Sequence, residues 1–173
     1  MTVQRMDNVL IVVDDLEAAK AFFVELGMEL DGETQVEGPW VDRTVGLDGV
    51  RADIAMMRTP DGHGRIELSK FHSPPAVRAA PESAPSNALG IRRIMFAVDD
   101  IDDVVARLRG HGAELVGEIA QYEDIYRLCY VRGPGAGPRG ADAAGDPSDL
   151  RRPGAVTVST SALPAGVRKN DVR

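Results

Sequence analysis

Apolar and polar positions along this 173-residue chain follow strand-like and helix-like periods in turn. Residues 6–13 form a compact run rich in Val and Ile, closed by Asp14 and Asp15. Such a run, followed by side chains that can cap a helix, reads as a strand leading into a helix. From residue 16 to 26 the apolar side chains Leu16, Ala19, Phe22, Phe23 and Leu26 recur at helical spacing, and Gly27 stands where a helix-ending glycine belongs. Residues 28–36 and 40–45 read as strands around a Gly38-Pro39 turn. Residues 50–58 alternate as another strand, 59–64 (TPDGHG) are dense in turn formers, and 65–71 read as a strand again. The first module, residues 5–72, is therefore expected to run β-α-β-β-β.

The same pattern then returns. Residues 8–33 lie on residues 93–118 without a gap, a shift of 85 (93 minus 8). Val13, Asp14, Asp15, Ala21, Gly27, Glu29, Leu30, Gly32 and Glu33 meet identical residues, and the apolar positions of 9–12 meet apolar ones. Glycines, an acidic doublet and a hydrophobic pattern matching together indicate a duplicated unit. Residues 73–90, rich in Pro, Ala and Ser, read as a linker. The second module, 91–134, repeats strand (91–98), acidic cap, helix (101–111), Gly112 and strands at 114–119 and 126–131. Arg132-Gly133-Pro134 mirrors Arg58-Thr59-Pro60, so a last strand should follow. Instead residues 135–153 are too poor in large apolar side chains to build one, and the whole of 135–173 is expected to be a disordered low-complexity tail. Within it, residues 155–160 (AVTVST) carry β-branched content and are a candidate replacement for the missing strand.

Composition narrows the function classes. No apolar run approaches the roughly 18 residues of a membrane span, and the first residues lack the layout of a signal peptide, so a cytoplasmic location is expected. One cysteine, Cys129, rules out an internal disulfide and a multi-cysteine metal site; its apolar neighbours mark it as a buried strand thiol. Net charge is -7, with residues 1–131 at -10 (13 basic, 23 acidic) and 132–173 at +3 (seven basic, four acidic). An acidic body repels a phosphate backbone, which argues against nucleic acid as a partner.

Two β-α-β-β-β units carrying NVLIVVDDLEAAKAFFVELGMEL and IRRIMFAVDDIDDVVARLRGHGAEL resemble the vicinal oxygen chelate superfamily, the glyoxalase, bleomycin-resistance and dioxygenase group. The resemblance implies an α+β fold in which two βαβββ modules form a curved mixed-sheet cup with helices on the convex face, here with the final strand of the second module missing or rebuilt. It also implies a homodimer and a divalent metal held by His, Gln or Glu from the first and last strands of both modules. Carried onto this chain, those positions are Asn8, Glu67 and Arg93, with no fourth counterpart. A catalytic site of the zinc type needs about three protein ligands. Only Glu67 is a good one; Asn8 offers a weak neutral oxygen, and the Arg93 guanidinium has no lone pair to give. A cation about 4 Å from a dication costs on the order of 8 kcal/mol at an effective dielectric of 20, twice the unit-charge figure. No cofactor is therefore expected, and if a metal is present Glu67 and Asn8 are its candidate ligands.

The resemblance thus points to a protein that binds a small, partly apolar molecule in a cup with a degenerate metal site. Its alternative is a metal-dependent lyase or dioxygenase resembling lactoylglutathione lyase. Candidate ligand-binding residues are Asn8, Glu67, Arg93, Trp40, Met95, Phe71, Tyr126 and His72, and an internal Arg93 to Glu67 pair is expected to stand where the metal would. Plain alternatives exist for most, and Asn8 reads equally as a strand-start residue. Glu67 reads equally as an exposed strand carboxylate, Arg92 replaces Arg93 if the register shifts by one, and Trp40 and Tyr126 serve as ordinary core aromatics. His72 reads as a strand-end residue, His63 as a hairpin residue and His111 as a cation at a helix C-terminus.

Overall fold

The computed structural model describes residues 6–77, 93–122, 126–133 and 154–159, with side chains excluded for 122, 126 and 154–159. The chain divides into two compact units, Met1–Ala79 and Ala80–Arg173. Both are α+β.

In the first unit, β1 (Val9–Val12) leads into α1 (Leu16–Leu26). Asp15 caps the helix, its carboxylate accepting from the Ala18 N–H at 3.0 Å, and Gly27 closes it at φ 110°, a left-handed conformation that costs only glycine nothing. Four strands, β1, β2 (Glu29–Glu37), β3 (Arg51–Arg58) and β4 (Arg65–Ser73), form one sheet in the order β1-β4-β3-β2. The six residues 59–64 turn β3 back on β4, with the Thr59 N–H donating to the Gly64 carbonyl at 2.8 Å. A hairpin turn that short forces the two strands antiparallel. β4 then lies parallel to β1. The apolar stripe of α1 (Leu16, Ala19, Phe22, Phe23, Leu26) is buried with Ile11, Ile66, Leu68, Ala55 and Met57 of the sheet. Burying Phe22 and Phe23 completely contributes roughly 1.5–3 kcal/mol each before entropy.

The strand expected at 40–45 is instead a helix, α2 (Pro39–Val45). Its physical reason is local. Pro39 occupies the first turn, where a missing N–H is harmless, and Gly46 ends the helix at φ 73°. Asp42 then ties the helix to the next strand, accepting from the Gly49 and Val50 N–H groups at 3.0 and 2.8 Å. Removing this segment from the strand count leaves the β-α-β-β-β order with one inserted helix.

The second unit repeats the opening closely. β5 (Arg93–Val98) leads into α3 (Ile101–Gly110), capped by Asp100, which accepts from the N–H groups of Asp102 and Asp103 at 3.2 and 3.1 Å. Asp15 and Asp100 are related by the same shift of 85 (100 minus 15), and Gly112, the counterpart of Gly27, also has positive φ, 79°. Of the expected strand at 114–119 only β6 (Glu114–Leu115) forms; β7 (Ala120–Tyr122) follows it, and both pair with β8 (Tyr126–Arg132).

The last strand of this unit departs from the first. β9 (Gly154–Ser159) lies between β5 and β8, in the slot that β4 takes in the first unit. Its direction is reversed: β9 runs antiparallel to β5 and parallel to β8. Two neighbouring strands of one sheet can run parallel only through a crossover of a dozen or more residues, and residues 133–153 supply 21. The tail residues 134–153 and 160–173, and linker residues 78–92, lie outside the described residues.

Candidate functional site

Pairing across the first sheet decides which side chains share a face. Leu10 lies opposite Glu67 and Val12 opposite Ser69 on one side of β4; Met56 and Ile54 lie opposite the same two residues on the other. Register partners point the same way and neighbours along a strand point oppositely. One face, buried under α1, therefore carries Ile11, Ile66, Leu68, Ala55 and Met57. The other carries Leu10, Val12, Ile54, Met56, Glu67, Ser69 and Phe71.

Glu67 is the polar centre of this open face. Its Oε2 accepts from Asn8 Nδ2 at 2.8 Å and its Oε1 from the Ser69 hydroxyl at 3.3 Å. Asn8 and Glu67 are half-buried, and Ser69 is buried. Around this polar group the aliphatic side chains are left in the open, Leu10 at 50% and Val12 at 45% of full exposure. The arrangement is a carboxylate oriented by two donors on an apolar floor, able to accept a further hydrogen bond through its remaining lone pairs.

In the second unit the same alternation separates Cys129 and Val131, buried on the α3 side, from Tyr130 and Arg132. On β5, Arg93, Met95 and Ala97 are exposed and share the side of Tyr130 through the β9 register, in which Thr157 pairs with both Met95 and Tyr130. The Arg93 guanidinium donates to the Tyr130 hydroxyl and lies 5.5 Å from the ring centroid, a cation–π contact. Met95 is 56% exposed. Cys129 is buried, and loss of hydration pushes its thiol up to about 11, with nearby Arg127 opposing that rise.

Asn8 and Glu67 are brought into hydrogen-bond contact, with Phe71 on their face. Arg93 and Met95 share the open face of the second unit. His72 goes elsewhere: its Nε2 is 2.7 Å from Asp53 Oδ2, and Asp53 pairs with Lys70, which alternates away from Glu67 and Ser69. Trp40 lies on α2, 56% exposed, and not on a strand. The Tyr126 side chain falls outside the described residues. Glu67 and Arg93 belong to different units, each described by itself. Strand alternation alone sends Ser69, two residues from Glu67, to the same face. Sequence reasoning missed Tyr130, whose contact with Arg93 lies across the sheet.

Among the described residues no group of three or more His, Cys, Asp or Glu side chains is placed to hold a metal ion, and no helix is long and apolar enough to cross a membrane.

Comparison with known proteins agrees with this architecture. The profile of the Glyoxalase/Bleomycin resistance protein/Dioxygenase superfamily matches residues 5–137. The uncharacterized protein YaeR of Escherichia coli (strain K12) is 31% identical over 112 residues, 64% of this chain and 74% of that protein. The crystal structure of a glyoxalase family protein from Bacillus cereus superposes with a TM-score of 0.75 at 46% identity, covering 92% of this chain and 96% of that one.

Proposed function

The chain belongs to the Glyoxalase/Bleomycin resistance protein/Dioxygenase superfamily, and from that premise we propose that it binds a small, partly apolar molecule on an open sheet face, without a working metal centre. The observation that carries this reading is Glu67, whose two carboxylate oxygens are occupied by the Asn8 amide and the Ser69 hydroxyl amid half-exposed aliphatic side chains. A divalent metal does not suit that donor set. Within its unit Glu67 is joined by one amide and one hydroxyl, neither of them an imidazole or anionic ligand. An apolar lining with a few placed polar groups suits recognition of a small molecule.

The role we assign is sequestration in the manner of the bleomycin-resistance type, by a cytoplasmic homodimer. Elemental analysis of the purified protein tests the metal-free reading. Less than one tenth of an equivalent of divalent metal per chain is expected, while stoichiometric zinc, nickel, manganese or iron, or turnover that a chelator abolishes, would establish the lyase or dioxygenase alternative. A thermal-shift screen with small aromatic and thiol-conjugated compounds tests binding: a ligand at a hundred times its Kd stabilises by about 2.7 kcal/mol. Glu67→Gln should weaken a hit that raises the melting temperature; an unchanged shift would remove Glu67 from the site. Sedimentation at micromolar concentration should show a dimer, and monomer alone would refute that part of the proposal.

A further inference from the structure

The second unit places two guanidinium groups on one open face with no carboxylate partner among the described residues. β9 sits between β5 and β8 so that Ser159 pairs with Arg93 on one side and with Arg132 on the other. One strand spacing on each side puts the two arginine backbones about 10 Å apart, a gap that two extended guanidinium side chains can close. Alternation from buried Cys129 and Val131 turns Arg132 to the same face as Tyr130, and Tyr130 already draws Arg93 toward β8 through its hydroxyl and ring.

The other arginines of this unit that bind carboxylates show what is different here. Arg107 Nε is paired with Asp103 at 2.9 Å and Arg127 with Asp102, one of its two contacts at 3.0 Å. Arg93 bonds only a neutral phenol among the described residues, and Arg132 Nε is buried without a hydrogen-bond partner. Glu114, the register partner of Arg132 on its far side, makes no ion pair with it among the described residues. A buried donor left unsatisfied is costly, and an anion is the acceptor that satisfies a guanidinium best. The Tyr130 hydroxyl accepts from Arg93, so its own hydrogen remains to be donated.

We propose that Arg93, Tyr130 and Arg132 form an oxyanion-recognition site, so that the small molecule bound by this protein carries a carboxylate or phosphate group. This deepens the small-molecule reading and rests on it. Benzoate, phenyl phosphate and benzamide, three probes sharing a ring and differing in charge, separate the two claims by calorimetric titration of the full-length protein.

Benzoate or phenyl phosphate is expected to bind at least tenfold more tightly than benzamide, and the tighter of the two identifies the headgroup. Raising the salt should narrow that gap, because the contact is between charges. Arg132→Gln and Arg93→Gln should each bring the anionic probe toward the affinity of benzamide while leaving benzamide unchanged, and Arg132→Lys should recover part of the loss. Tyr130→Phe, which keeps the ring, should cost less than either arginine change. Circular dichroism and the benzamide affinity show that each variant is folded. Equal binding of all three probes would overturn the oxyanion site and leave small-molecule binding standing; binding of none would overturn both.

Discussion

A buried thiol and a surface carboxylate illustrate how one side chain's surroundings set its chemistry. Burial raises the Cys129 thiol from 9.0 to about 11. The thiolate is the reactive form, so at neutral pH native Cys129 should react with a disulfide reagent about a hundredfold or more slowly than the denatured chain, as a stopped labelling reaction would show. Because its folded value is raised, the stability linked to this group is present below the ordinary thiol range and is lost as pH rises through about 11. Asp53 behaves oppositely. The hydrogen bond from His72, then that from Gln35 at 2.9 Å, hold its carboxyl below the usual range. Its contribution is present above the ordinary aspartate value and is lost as pH falls through the lowered one. The melting-temperature gap between the native chain and Asp53→Asn should thus be open at neutral pH and close as the pH falls through the lowered carboxylate range. Asn8 and Glu67 were singled out through the resemblance, which puts ligand positions on the first and last strands of a module, and Ser69 followed from alternation with Glu67. The contact of Tyr130 with Arg93 was not legible, since which two side chains meet across a sheet depends on register, which no single stretch of sequence specifies.

Among the elements, the two capped helices were the most readable, because capping needs only a residue and the few that follow it. Asp15 and Asp100 perform the same task in both units. Replacing either by Ala should cost about 1 kcal/mol in a denaturant melt, and the two losses should add because the caps lie in separate units. A loss near zero would mean that water or a neighbour satisfies those N–H groups. The short helix α2 was read wrongly for a related reason. Seven residues give fewer than two turns, too few for a hydrophobic period to show, so Val41 and Val45 looked like strand residues. The signals that would have identified it were its ends, Pro39 in the first turn and Gly46 just past the last.

At the scale of the whole molecule, the duplication was visible in the sequence and so was the absence of an ordinary closing strand. The replacement at 154–159 was visible as composition only. Its direction was not, because alternation of apolar and polar residues reads the same from either end: Val156 and Val158 flank Thr157. Those valines pair in register with buried Cys129 and Val131. A chain ending at Gly133 would leave β5 and β8 with unpaired backbone edges, a template for association. Such a truncation should lower the melting temperature of the second unit and increase light scattering on heating, while leaving the first unit's contacts in place; unchanged melting would mean that β9 contributes nothing to the sheet.

The connection before β9 is long enough to permit its parallel sense beside β8, and the alternation of its own residues is indifferent to direction. Supplied as a separate synthetic peptide to the shortened chain, the segment could zip into the gap in either orientation, a molecular word that spells the same fit forwards and backwards.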